Sequence, residues 1–284
     1  MRTIFALLIA TSAAWAQNAT TPGTPTSPYP TIENLAVDWP ITGDANNNGV
    51  VAVRYRLQGA ASWTTGLALT RVPAGSNQGF SWGNKHSGSV FGLLPATTYE
   101  IELTLVDPDG GGSTTTVTAT TRAVPVAAVA APVINVTPAS FATAVAASAA
   151  GDILLLGAGS YPGFTFTKSG TAALPIVFRS ASPGVAVFSG DVRFDGRSYV
   201  HLEDCTVNGM VKFNGATGIV IRGCAITAPT TGGVIAYSPG GAVAGATNCY
   251  IADNLITGPY SWIDANLGAN GATTAEGIEM TGPG

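Results

Sequence analysis

Glu276 and Glu279 in the stretch AEGIEMT (275–281), with Asp253 and Asp264 upstream, are hard oxygen donors of the kind that gather a calcium ion. Lys212 and Arg222, together with Arg179 and His201, are the cations that strand alternation would turn outward, and a row of them would hold a polyanion. Put together, a base, a cation and a carboxylate-bound metal can take the proton beside a substrate carboxylate and hold the enolate charge that results. Taken singly, each residue is an ordinary surface or turn group. Chemistry therefore depends on elements that would bring several of them to one face.

Three segments near these residues repeat. EDCTVNG (203–209) returns as RGCAITA (222–228) and ADNLITG (252–258), with Cys205, Cys224 and Asn254 in one column. From Cys205 to Cys224 is 19 residues and from Cys224 to Asn254 is 30, yet the apolar columns keep step. Val200, Ile219 and Cys249 align, as do Leu202, Ile221 and Ile251, and Val207, Ile226 and Ile256. A unit of this kind cannot bury its apolar side alone, so it must stack on its neighbours. The spacing predicts a stack of coils in which Cys205 and Cys224 are buried thiols and the Asn254 amide bonds to turn backbone. Ahead of it, TPASFATAVAASAAGD (137–152) reads as one helix, capped by Thr137 and stopped by Gly151, that covers the open end.

The repeats, with GDILLLGAGSYPGFTF and LPIVFRSASPGVAVFSG before them, resemble the coils of right-handed parallel β-helix proteins, secreted polysaccharide lyases among them. In the alginate lyase and chondroitinase B family a glutamate leads into a strand such as AEGIEM as a calcium ligand, and a lysine follows as base. The resemblance gives Glu276 the first role, but Thr281 stands where the lysine would be. It implies an acidic polysaccharide as partner, calcium as the one cofactor, and lyase chemistry ahead of hydrolysis. The alternative is a non-catalytic adhesin or surface stalk built from the same stack. Because EGIEM reads as a further strand with no closing helix after it, more coils, and the catalytic residues with them, are expected beyond Gly284.

Residues 27–122 read differently, as short alternating strands between turns rich in Gly, Asn and Asp. Val51, Val53, Tyr55 and Leu57 form one apolar row, and Tyr99, Ile101, Leu103 and Leu105 another. Trp39 in LAVDWP, the strand VAVRYRL and the segment LLPATTYEIEL resemble a fibronectin type III sandwich, which implies that Tyr99 bonds back to the backbone. The stretch from Pro73 to Ser87 is longer than that resemblance accounts for. Trp63, Phe80 and Trp82 have two readings, as sandwich packing or as a platform for sugar rings. AVPVAAVAAPVINV (123–136) reads as a semi-extended linker, which leaves 137–284 for the incomplete β-helix.

The first 16 residues, with Arg2, an apolar run from Ile4 to Ala10 and Ala14-Trp15-Ala16, predict a cleaved leader and a secreted, extracellular or periplasmic chain. No later run is long and apolar enough to predict a membrane helix. Only 10% of residues are charged and the net charge is −4, so the composition excludes long charged helices and argues against nucleic acid. Oligomeric state leaves no trace in the sequence.

Overall fold

The computed structural model of the chain describes residues 18–77, 79–228, 232–236, 245–258 and 277–280. The expected leader, Asp264, Glu276 and Thr281 lie outside these residues. The protein is nearly all β and divides into two compact units, Met1–Val124 and Pro125–Gly284.

The first unit packs two four-stranded antiparallel sheets. One holds Thr21–Pro22, Asn34–Thr42, Lys85–Phe91 and Thr70–Val72; the other holds Ser113–Thr120, Thr98–Val106, Val50–Leu57 and Thr64–Thr65. Alternation decides their faces: Val51, Val53 and Tyr55 pair with Leu105, Leu103 and Ile101 and turn inward. Leu57 ends its strand 44% exposed, so the expected row is one residue shorter. Trp39 is buried and its indole N–H donates to the Gly23 carbonyl at 2.9 Å. The Tyr99 ring is buried while its hydroxyl accepts the Leu94 N–H at 2.9 Å, which ties the chain entering the strand to the core. The surplus between Pro73 and Ser87 is a small hairpin, Gly75–Asn77 against Phe80–Trp82.

The second unit is a parallel β-helix of three sheets. Its first sheet runs Val133–Val136, Ile153–Leu156, Ile176–Ser180, Val200–Glu203, Val220–Arg222 and Tyr250–Ala252; its second, Gly159–Tyr161, Ala186–Phe188, Thr206–Val207, Ala225–Thr227 and Leu255–Thr257. The third contains Phe164–Thr165, Val192–Arg193, Val211–Lys212, Val234–Ala236 and Ile278–Met280. Val133–Val136, read above as linker, is the opening strand and pairs with Ile153–Leu156. Leu202, Ile221 and Ile251 stand in register, as do Val207, Ile226 and Ile256, so coils of unequal length keep their inward columns aligned. Coils meet so closely before the third sheet that a Cβ on Gly209 would lie 2.6 Å from the Gly190 carbonyl carbon.

Cys205 and Cys224 are unbridged and buried. Burial pushes the Cys224 thiol up to about 12 and the Cys205 thiol well above its ordinary value. Asn254 clamps the coil before it: its side chain accepts the Cys224 N–H at 2.9 Å and donates to the Ile221 carbonyl at 2.8 Å.

The helix covering the stack is shorter than its sequence suggests, Phe141–Ala147. Thr137 and Ser140 bond to each other's backbone N–H, so their side chains form a closed turn ahead of the helix. At the far end the Lys168 ammonium donates to the Ala146 and Ser148 carbonyls, the place where a cation satisfies orphan acceptors. Phe141 enters the core against Tyr161, Phe164 and Phe188 at ring separations of 5.1 to 5.8 Å.

Candidate functional site

The stack presents its charged side chains on two outer faces, which the sequence had merged into one groove. On the first sheet, Leu155, Arg179, Glu203, Arg222 and Ala252 form a register column. Arg179 Nε donates to Glu203 at 2.6 Å and Arg222 Nη2 donates to its other oxygen at 2.8 Å. The Glu203 side chain is 2% exposed, and His201 Nδ1 lies 3.4 Å from it. Burial works to raise the Glu203 pKa, but His201, the Arg179 hydrogen bond and the two guanidinium charges outweigh it and lower the group to about 2.

A segment of chain crosses this face. Arg222 Nη1 donates to the Pro125 carbonyl at 3.4 Å, and the Ile153 N–H donates to the Pro132 carbonyl at 2.8 Å. The chain from Pro125 to Pro132 therefore runs along the sheet like a strap, from the coil of Arg222 to that of Ile153. Pro125, Ala128 and Ala131 are half-buried, while Val126 and Val129 are exposed. The neighbouring outer column of Ile153, Val177, His201 and Val220 is buried throughout. His201 and Arg222, expected along an open groove, are a buried imidazole and one arm of an ion cluster.

The third sheet carries the other face. Thr165, Arg193, Lys212, Ile235 and Glu279 are in register, so the strand positions of Lys212 and Glu279 fall in one column. Inward alternates Phe166, Phe194 and Phe213 are buried and fix which way Arg193 and Lys212 point. Paired strands set those two residues about 4.8 Å apart. Asp191 accepts from Arg193 Nη2 at 2.8 Å and from the Met210 N–H at 3.1 Å, and Asp195 accepts the Asn214 N–H at 2.8 Å. Burial pushes the Asp191 pKa up, yet the Arg193 and Met210 hydrogen bonds and the charges of Arg193 and Lys212 hold it below its ordinary value. Unlike Glu203, this carboxylate stays in contact with water, with 32% of its side chain exposed.

The sequence reading missed Asp191, Arg193 and Glu203. A signal for the first two was present: GDVRFDG (190–196) and GMVKFNG (209–215) repeat at the coil spacing and place Arg193 over Lys212. Among the described residues no group of three or more His, Cys, Asp or Glu side chains could hold a metal. Glu276 lies outside the described residues, and Glu279 is placed only by its strand. Asp191 and Asp195 have their oxygens turned to backbone N–H groups and to Arg193, an arrangement that does not form a calcium cage.

No family model and no curated protein matches the sequence. Among solved structures, the fibronectin type-III domain of human fibronectin type III domain containing protein 3 aligns over 36% of this chain and 85% of its own, at 13% identity and a TM-score of 0.27. The family 28 exopolygalacturonase of Yersinia enterocolitica aligns over 84% of this chain and 76% of its own, at 10% identity and a TM-score of 0.24. Likenesses this distant carry no argument about activity.

Proposed function

We propose that the chain is a secreted carbohydrate-active protein whose stack binds an acidic polysaccharide along the outer face of the third sheet. One observation carries this reading: Arg193 and Lys212 stand one strand apart in a single outer column that continues in register to Glu279. Two adjacent strands present one cation each at the coil spacing, between Thr165 on one side and Ile235 on the other, which suits two neighbouring carboxylates of a polyanion. Asp191 holds the Arg193 guanidinium in place. The reaction in this reading is a lyase elimination first and hydrolysis second, with Glu276 and Glu279 as the ligands that would hold a calcium ion to neutralise the substrate carboxylate.

The test is binding and turnover on alginate, pectate and chondroitin, with and without calcium. Arg193→Ala together with Lys212→Ala should weaken retention of the acidic polymers about tenfold or more, an effect that rising salt reduces. Unsaturated ends seen by ultraviolet absorbance mark a lyase; reducing ends without them mark a hydrolase. Unchanged binding in the double variant removes the site. A rigid stalk is the second reading, favoured by the second sheet. There Thr227 and Thr257 bond to each other at 3.1 Å, as Thr217 and Thr247 do beside the first sheet at 3.0 Å, which are ladders with no chemistry of their own. Failure of the chain to bind any acidic glycan would select it.

A further inference from the structure

The hairpin Gly75–Asn77/Phe80–Trp82 stands outside the sandwich core and carries two exposed aromatic rings. Phe80 is 70% exposed and Trp82 40%. Two residues apart on one strand, they share a face, about 6.7 Å from one another along the chain. The Trp82 ring is seated: its N–H donates to the Pro73 carbonyl at 2.9 Å, and it lies against Gly75, its cross-strand partner. Gly75 has no side chain because none fits, since a Cβ there would come within 2.8 Å of the Trp82 ring. The indole is therefore fixed before any ligand arrives, and ordering it costs binding nothing further. Trp63, by contrast, has the guanidiniums of Arg56 and Arg54 over its ring at 4.2 and 4.8 Å, which withdraws it from any such role.

We propose that Phe80 and Trp82 form a stacking platform for the sugar rings of an uncharged polysaccharide. A pyranose whose hydroxyls are equatorial shows C–H bonds on its faces, and these pair with the negative face of an aromatic ring. The platform is too small for a stable protein partner: two rings exposed to this extent offer roughly 250 Å², against about 800 Å² per partner in a specific interface. Charge chooses the class of glycan. Lys85 is paired with Asp38 at 2.7 Å and Arg71 with Asp44, so the strands flanking the hairpin have their cations already engaged. The site is separate from the third-sheet face and does not rest on the function proposed there.

The whole chain is to be tested by sedimentation with insoluble β-1,4-glucan and chitin, and by electrophoresis through gels containing hydroxyethylcellulose. Wild type is retained on at least one neutral glycan; Trp82→Ala and Phe80→Ala each lower retention about tenfold. Gly75→Ala, which unseats the indole without removing it, lowers retention as well. Circular dichroism unchanged in all three variants separates these losses from misfolding. Arg193→Ala with Lys212→Ala keeps neutral-glycan retention, which distinguishes this site from the acidic one. The proposal is overturned if wild type is retained on no neutral glycan, or if retention survives loss of both rings. Self-association that Phe80→Ala abolishes would also overturn it, by making the patch an interface between copies.

Discussion

Glu203 and Asp191 are carboxylates of the same stack, each on an outer face and each bonded to arginine, yet their surroundings make them different objects. Glu203 is enclosed, holds two guanidiniums from neighbouring coils and lies beneath a face that the strap crosses. Asp191 bonds to an arginine of its own strand and keeps a third of its side chain in water. Enclosure turns an ion cluster into a fastener between coils. Contact with solvent leaves the other cluster able to exchange partners with a ligand, which is why the functional reading rests on the third sheet and not on the first.

The sharpest way to break this contrast is to remove each carboxylate in turn. Glu203→Ala leaves two guanidiniums without their counter-ion and should lower stability by about 3 to 5 kcal/mol. Asp191→Ala should cost about 1 kcal/mol or less, a loss that 0.5 M salt should largely mask. Equal losses in urea unfolding would show that the two faces are alike.

Acid gives a second, smaller separation. Glu203 titrates lower when folded, at about 2 against an ordinary 4.5, so its contribution is complete above about pH 4.5 and disappears as pH falls toward 2. The span corresponds to on the order of 3 kcal/mol. His86, buried in the sandwich beside Arg71 and Asp44, is also held below its ordinary value: burial first, and Arg71 second, lower its pKa. Its unfolded form takes a proton that the folded form refuses, so stability of the first unit should begin to fall below about pH 6.5. Hydrogen exchange followed against pH should show sandwich amides loosening before those of the stack. The reverse order would contradict both assignments.

The smallest effect concerns the strap itself. Ala130 sits at φ 56° in the turn that delivers the strap to Val133–Val136, with the Ala131 N–H bonded to the Ala128 carbonyl. Ala130→Gly removes the cost of a Cβ in that conformation and should raise stability by up to about 1 kcal/mol, read from the denaturant midpoint. A loss would mean that the turn is not under strain.

How much of this was legible follows from what each signal encodes. The inward columns were readable because period-two alternation repeated with matching side-chain sizes, and Leu202 over Ile221 over Ile251 is what the structure contains. The helix was overextended because the Thr137–Ser140 bonds compete with the first turn, and propensity does not weigh that competition. Alternation told correctly that Arg222 and Lys212 face out, but not which of three sheets each belongs to, because third-sheet strands such as Val192–Arg193 are two residues long. Nor does any local pattern announce that Pro125–Pro132 lies across Arg222. That covering is a tertiary event between segments far apart in sequence, as the separation of 97 residues in the Arg222–Pro125 bond records.

Asn254 has a consequence for how the chain can vary. It grips the coil before it across 30 residues, whereas Glu203 and Arg222 are joined across 19, and the columns nonetheless stay in register. In polymer terms, lengthening a closed loop by that amount costs only about 0.4 kcal/mol of closure entropy, less than one good hydrogen bond returns. Coil length is thus nearly free of thermodynamic consequence so long as the clamp remains. Length changes can accumulate between strands of this stack, supplying new surface to any ligand face, while the ladder beneath them goes on counting in whole coils.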